Sequence, residues 1–154
     1  MFVDLHIHSY FSDGAQTPEQ AALLCRDSGV GLAALCDHNS WLGCERFAAA
    51  CRELGVLSIR GAEFDCHREG RHLHMLGYGF TPTPQLAAIA HRSRELLLQM
   101  SIDLIERMAA DYPQLDAGEY RDFQYDPLLG GWAGLHYLRE KGVTQSLSDG
   151  MPLY

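Results

Sequence analysis

Met1 to Gly14 reads MFVDLHIHSYFSDG, and this stretch decides how the chain is read. Phe2 to Ile7 alternates and is rich in β-formers, which predicts a short buried strand. His6 and His8 stand two apart on it, so both imidazoles leave the same face, roughly 6–7 Å apart along the backbone. Two neutral imidazoles at that spacing can converge on one cation, and the turn Ser12-Asp13-Gly14 returns a carboxylate toward them. A lone strand histidine is more often structural. Two in register, at a strand end and beside an acidic turn, point to metal ligation.

The rest of the first half repeats the arrangement. Gly29 to Asn39 reads GVGLAALCDHN, an apolar run ending in Asp37-His38 just before a turn. Gly55 to Glu63 reads GVLSIRGAE, another strand-like run closed by a carboxylate. Arg71 to Tyr78 reads RHLHMLGY, in which His74 opens a further short apolar run. Acids and histidines thus stand where successive strands end, where parallel α/β sheets and barrels carry their chemistry. Scattered surface histidines would not track strand ends in this way.

Taken in order, H-x-H-S-x-x-S-D-G, D-H-N, G-A-E and H-M-L-G-Y resemble the first motifs of the PHP family, the polymerase and histidinol phosphatase metallo-phosphoesterases. Amidohydrolases also open with H-x-H, but the Ser-Asp-Gly turn and the early Asp-His favour PHP. The resemblance covers residues 2–80 and implies a distorted β/α barrel with up to three metals at the strand ends. It implies that His6 and His8 hold a first metal, with Glu63 bridging to a second. His74 would ligate the second, Asp13 and His38 a third, and Asp37 or His38 would assist proton transfer. Imidazole and carboxylate shells suit Zn, Mn or Fe. A bridging carboxylate can hold two cations about 3.5–4 Å apart, which lowers the pKa of a bound water and clamps phosphate oxygens.

Family members also supply a later histidine and an Asp-x-His near the end of the barrel. This sequence has no Asp-x-His beyond residue 80, and its only later histidines, His91 and His136, lie inside helical patterns. Each metal shell is therefore expected to lack one family ligand. The chain reads as the front of a longer enzyme or as a short form with weakened metal binding, and poor phosphoester hydrolysis is expected of it. The fold class expected is α/β, an incomplete distorted β/α barrel of the PHP type with a helical insertion. Residues 1–80 would be the metal-binding core, 81–142 the insertion and 143–154 a C-terminal segment.

Helices between the strands are well signalled. Thr17-Pro18-Glu19-Gln20 combines an N-cap, a proline at the first position and a capping-box glutamine, and Gly29 closes the helix. Asn39 or Ser40 is expected to cap a second helix running through Trp41, Phe47 and Leu54 to Gly55. Strand and helix alternating with short loops is the βαβ pattern, hence a largely parallel sheet, and Gly70 marks a hairpin turn. Pro82 and Pro84 then open a long helical pattern ending at Tyr112-Pro113, and Gly131 to Lys141 forms another with Gly142 as cap. This later part resembles the helical insertion of some stand-alone PHP phosphoesterases, which caps the metal cleft.

Composition narrows the classes. At 154 residues and 47 % apolar content, the chain can bury a sizeable core. No apolar run reaches transmembrane length, and no signal peptide is apparent, so no membrane partner is expected. Cys25, Cys36, Cys44, Cys51 and Cys66 are odd in number and form no C-x-x-C pair, which suits free thiols in a reducing cytoplasm. Cys36, beside Asp37, reads as core packing. A formal charge of −8 argues against non-specific nucleic-acid binding, while bound cations would still admit a phosphate.

Several residues take a plainer reading. His91, among Arg92, Arg94 and Glu95, reads as surface, and His136 as a packing histidine. Asp65 and His67 share the face of Glu63 by strand period, and either cleft or strand-end polarity fits them. His72 shares a face with His74, which alone matches the family motif. Arg68 and Arg71 read as a solvated hairpin. Two functions remain: a metal-dependent phosphoesterase acting on a phosphomonoester or nucleotide-like phosphate, or a non-catalytic metal-binding or regulatory PHP remnant. Unpaired sheet edges in an incomplete barrel would favour self-association.

Overall fold

The structure is a computed structural model describing residues 1–153. Its elements are β1 (Phe2–Ile7), α1 (Pro18–Asp27), β2 (Val30–Leu35), α2 (Cys44–Leu54), β3 (Leu57–Arg68) and β4 (Arg71–Tyr78), followed by helices α3 (Pro84–Met108), α4 (Ala117–Asp122), α5 (Ala133–Glu140) and α6 (Leu147–Gly150). The strands form one curled half-barrel sheet in the order β1-β2-β3-β4. The expected incomplete barrel is present as that mixed α/β half-barrel. Strands β1, β2 and β3 run parallel, and β4 is antiparallel to β3.

The chain divides into two compact units, one of Met1–Ser93 with Pro127–Gly130, the other of Arg94–Asp126 with the residues after Gly130. In the first, α1 and α2 pack against the sheet. Ala21, Ala22 and Cys25 of α1 meet Phe47 and Cys51 of α2 over Ala33 and Leu35 of β2. Burying a side chain such as Phe47 contributes about 1.5–3 kcal/mol. Ile7 packs against this core, so strand alternation sends His6 and His8 to the opposite face. That alternation separates the apolar face of the sheet from its chemical one.

The N-cap of α1 forms as expected: Thr17 and Gln20 make both halves of a capping box, with Pro18 opening the helix. The second helix does not. It starts at Cys44 after Gly43, not at Asn39 or Ser40. Asn39 instead ties the loop after β2 to β3. Its side chain pairs with Asp65, and its N–H donates to the Glu63 carbonyl at 2.7 Å.

Strand β3 departs most from expectation. The sequence suggests a strand-like run closed by Glu63 and, beyond it, a hairpin turn at Gly70. The strand runs on without a break through Arg68, 12 residues in all, and changes partner. Leu57–Arg60 pair in parallel with β2, whereas Gly61–Arg68 pair antiparallel with β4. Gly61 sits where the pairing changes. A Cβ there would fall 2.4 Å from the Cys36 sulfur and 2.8 Å from the Leu35 carbonyl oxygen, so the close approach requires glycine. The hairpin turn at Gly70, φ 76°, is as expected.

The second unit is helical, with a core of Ile102, Ile105, Leu115, Tyr120, Tyr137 and Leu138. The Tyr137 hydroxyl lies 3.1 Å from the Asp116 N–H and donates to the Asp116 carbonyl at 2.9 Å. Helix α3 ends at Met108, short of the expected Tyr112. The stretch expected over Gly131–Lys141 is helical from Ala133 to Glu140, with Gly142 beyond it at φ 69°. No helix among the described residues is long and apolar enough to cross a membrane.

Candidate metal centre

Each strand end of the half-barrel delivers one part of the cluster. β1 delivers His6 and, just past its end, His8. The loop after β2 delivers His38, which forms an isolated parallel bridge to Glu63. β3 delivers Glu63, and β4 delivers His74 opposite Asp65. The turn carrying Asp13 folds tightly: a Cβ on Gly14 would lie 2.4 Å from the His8 carbonyl oxygen, so only glycine lets the turn close.

Glu63 is the hub. Its side chain is 3 % exposed, and four imidazoles converge on its carboxylate. Oε2 lies 2.9 Å from His6 Nε2, 3.1 Å from His8 Nε2 and 3.3 Å from His38 Nε2. Oε1 lies 2.6 Å from His74 Nδ1. Asp13 Oδ1 sits 3.0 Å from His8 Nδ1. The rings form an arc His6–His8–His38–His74–His72 with successive centroid separations of 5.0, 4.9, 5.0 and 4.8 Å. All six residues expected as ligands, His6, His8, Asp13, His38, Glu63 and His74, therefore meet in one place.

Three groups have donor atoms within 4.8 Å of one another: His6, His8 and Glu63; His8, Asp13 and His38; and His38, Asp65 and His74. This donor chemistry fits a divalent cation. It combines imidazole nitrogen with carboxylate oxygen, the set that suits Zn, Mn or Fe. No thiolate competes, since Cys36 is buried and donates to the Leu5 carbonyl, and burial pushes its thiol up to about 12.

The charges are mutually supporting. Burial opposes ionisation of Glu63, yet the His6 hydrogen bond and the nearby His38 and His74 hold its carboxyl below the usual range. Burial likewise opposes ionisation of Asp65, and its bond to His38 outweighs this and lowers it. Asp13 is lowered through His8 against the same opposition. For His38, burial disfavours the charged ring, but Asp65, Asp13 and Glu63 together raise its pKa.

Asp37 sits behind the cluster. It is 1 % exposed, and burial pushes its carboxyl up despite its hydrogen bonds. Oδ1 accepts from the Ser9 N–H and the Ser12 hydroxyl, and Oδ2 from the Ser9 hydroxyl, each at 2.7 Å. Ser12 Oγ in turn lies 3.4 Å from His8 Nδ1. Asp37 thus anchors the loop that carries His8 and Asp13.

Of the two residues that strand period leaves open, Asp65 turns inward with a side chain 7 % exposed, whereas His67 stays exposed. His72, which falls outside the family motif, lies 3.4 Å from Asp65 Oδ1. Strand period is the signal for both Asp65 and His72. The use of Asn39, Ser9 and Ser12 carries no such signal. Arg68 and Arg71 are exposed, as is His91, and His136 is buried against Tyr125.

Comparison with known proteins agrees with this geometry. A 5'-3' exoribonuclease of Haemophilus influenzae is 31 % identical over 106 residues, 68 % of this chain and 39 % of the relative. A 3',5'-nucleoside bisphosphate phosphatase of Chromobacterium violaceum is 38 % identical over 95 residues, 60 % of this chain and 33 % of the relative. The solved structure of an amidohydrolase from Chromobacterium violaceum, with bound sulfate and no metal, superposes with a TM-score of 0.79 at 25 % identity. It covers 99 % of this chain and 54 % of that one. The chain spans well under half the length of these two curated relatives. The PHP domain family matches residues 4–129, and with the motifs and the half-barrel already described, this chain belongs to the PHP family.

Proposed function

We propose that the chain is a metal-dependent phosphoesterase that cleaves phosphomonoesters or nucleotide-like phosphates at a multinuclear centre. The convergence of four imidazoles on Glu63, flanked by Asp13 and Asp65, carries the proposal. His6 and His8 would hold one cation, Glu63 would bridge to a second at His74, and Asp13 and His38 would hold a third. Zn, Mn or Fe bound there would supply the electrophile for a phosphoryl oxygen and acidify water. His6 and His74, with side chains 46 % and 45 % exposed, form the open rim through which a phosphate reaches the centre. His38 is the group assigned to proton handling within the cluster. Asp37 is a positioning residue that anchors the Ser9–Ser12 turn.

A nucleotide-like substrate is supported by the names of the exoribonuclease and bisphosphate phosphatase relatives, and a phosphate-like anion by the sulfate in the amidohydrolase structure. The formal charge of −8 favours a small phosphate over a long nucleic acid. Five free cysteines accord with a reducing cytoplasm. Exposed Phe2 and Val3 on β1, and Leu73 and Met75 on β4, lie on the outer strands, which supports self-association. Release of phosphate from a nucleoside 3',5'-bisphosphate and from an aryl phosphate, with added Mn, tests this reading. Turnover that chelator abolishes is expected. A chain that binds metal but turns over neither compound would instead be a metal-binding or regulatory PHP module.

A further inference from the structure

The two carboxylates on β3 hold opposite sides of the same two imidazoles, and we propose that Asp65 fixes which nitrogen of His38 and of His74 faces the metal. The inference rests on the metal centre of the reading above, not on its substrate. Glu63 and Asp65 lie two residues apart on one strand and so share a face. Glu63 meets His38 at Nε2, 3.3 Å, and His74 at Nδ1, 2.6 Å. Asp65 Oδ1 meets the other nitrogen of each ring: His38 Nδ1 at 3.1 Å and His74 Nε2 at 3.3 Å.

A neutral imidazole has one N–H and one lone pair, and a carboxylate can only accept. With a cation held at Glu63, the nitrogen on that side of each ring would give it the lone pair, and Asp65 would take the N–H on the other side. One carboxylate oxygen accepts two such bonds, so Oδ1 is filled by His38 and His74. His72, at 3.4 Å and with its side chain 49 % exposed, is the outermost of the three rings at that oxygen. The rest of Asp65 is clamped. Oδ2 accepts from Asn39 Nδ2, and the Asp65 N–H donates to Asn39 Oδ1 at 3.1 Å. Asn39 stands at φ 48°, a left-handed conformation that its short polar side chain tolerates, and its own N–H is tied to Glu63.

The alternative is that Asp65 binds a cation directly. His38 Nδ1 would then have to give its lone pair to that cation, and Nε2, left with the N–H, could no longer serve the cation bridged by Glu63. A carboxylate behind a ligating histidine, holding its tautomer, matches the supporting role that outer partners play in metal sites. Asp65 is thus a positioning residue. It requires His38 to coordinate through Nε2 and His74 through Nδ1.

Long-range proton–nitrogen NMR of the zinc-loaded chain reads this directly. We expect the His38 proton on Nδ1 and the His74 proton on Nε2. Asp65→Ala should release His38 from that tautomer, and Asn39→Ala, which unclamps the Asp65 carboxylate, should do so in part. With Zn or Mn alone, Asp65→Ala should bind the same number of equivalents at saturation but about 10–100-fold more weakly. A wild-type His38 protonated on Nε2 would overturn the proposal, and so would loss of a whole metal equivalent in Asp65→Ala. Zinc bound with the expected tautomers but without phosphoester turnover would sink the phosphoesterase reading and leave the role of Asp65 standing; zinc bound with the opposite tautomer would do the reverse.

Discussion

His38 in the strand-built unit and His136 in the helical unit are both buried, at 9 % and 3 % exposed. His38 lies between Asp65 Oδ1 and Glu63 Oε2, at 3.1 and 3.3 Å. His136 is stacked on Tyr125 with ring centroids 4.5 Å apart and planes 23° off parallel, and Arg139 approaches its Nδ1 at 3.5 Å. Carboxylates around an imidazole make it a base or a ligand, whereas an aromatic ring and a guanidinium make it a packing element. Burial alone does not distinguish these roles; the neighbours do.

The sharpest way to break that comparison is metal content. His6→Ala with His8→Ala should abolish bound metal in elemental analysis of protein purified without chelator, while His136→Ala should retain the wild-type amount. Unchanged metal in the double variant, or its loss in His136→Ala, would sink the assignment of the centre to the strand ends.

A smaller effect is expected from the helical unit. Tyr137→Phe removes the hydroxyl bridging both backbone groups of Asp116 and should cost about 1 kcal/mol in denaturant unfolding, with metal binding unchanged. A coupled loss of metal affinity would show that the two units are not energetically separate.

The smallest effect sits on the surface of the first unit. Arg46 pairs with Glu19 across α1 and α2 at 2.7 and 2.8 Å and holds the Glu19 carboxyl down at about 2, against an ordinary value of 4.5. The folded state therefore favours the carboxylate. Its contribution is complete above the unfolded value and fades as pH falls from about 4.5 toward 2. Both side chains are nearly half exposed, so solvent screening should hold the effect of Glu19→Gln to under about 1 kcal/mol at neutral pH. Thermal melts of the variant and wild type should converge at the acid end of that range.

What is legible in the sequence is local. The period of two puts His6 and His8 on one face, Thr17-Pro18-Glu19-Gln20 announces its own cap, and Gly70 marks its own turn. What stays hidden depends on pairing across distance. Nothing near Gly61 says that β3 abandons β2 for β4, because that exchange is decided by which strands lie alongside. Asn39 reads as a helix cap because its partner, Asp65, lies 26 residues away. Asp65 itself is half legible: its face follows from strand period, its partners do not.

The two-partner strand makes the centre a matter of reading frame. Glu63 and Asp65 face the imidazoles only because β3 is held in register against β2 at one end and β4 at the other. Losing one residue between Leu57 and Glu63 would invert that frame while leaving every ligand in the sequence. Ala62 and Phe64 would turn toward the histidines, and both carboxylates would turn into the apolar face against α2. Point substitutions can thus retune this centre one donor at a time, but insertions and deletions along β3 erase it whole, so lineages that keep the chemistry must accommodate length changes in the Gly70 turn or beyond Tyr78.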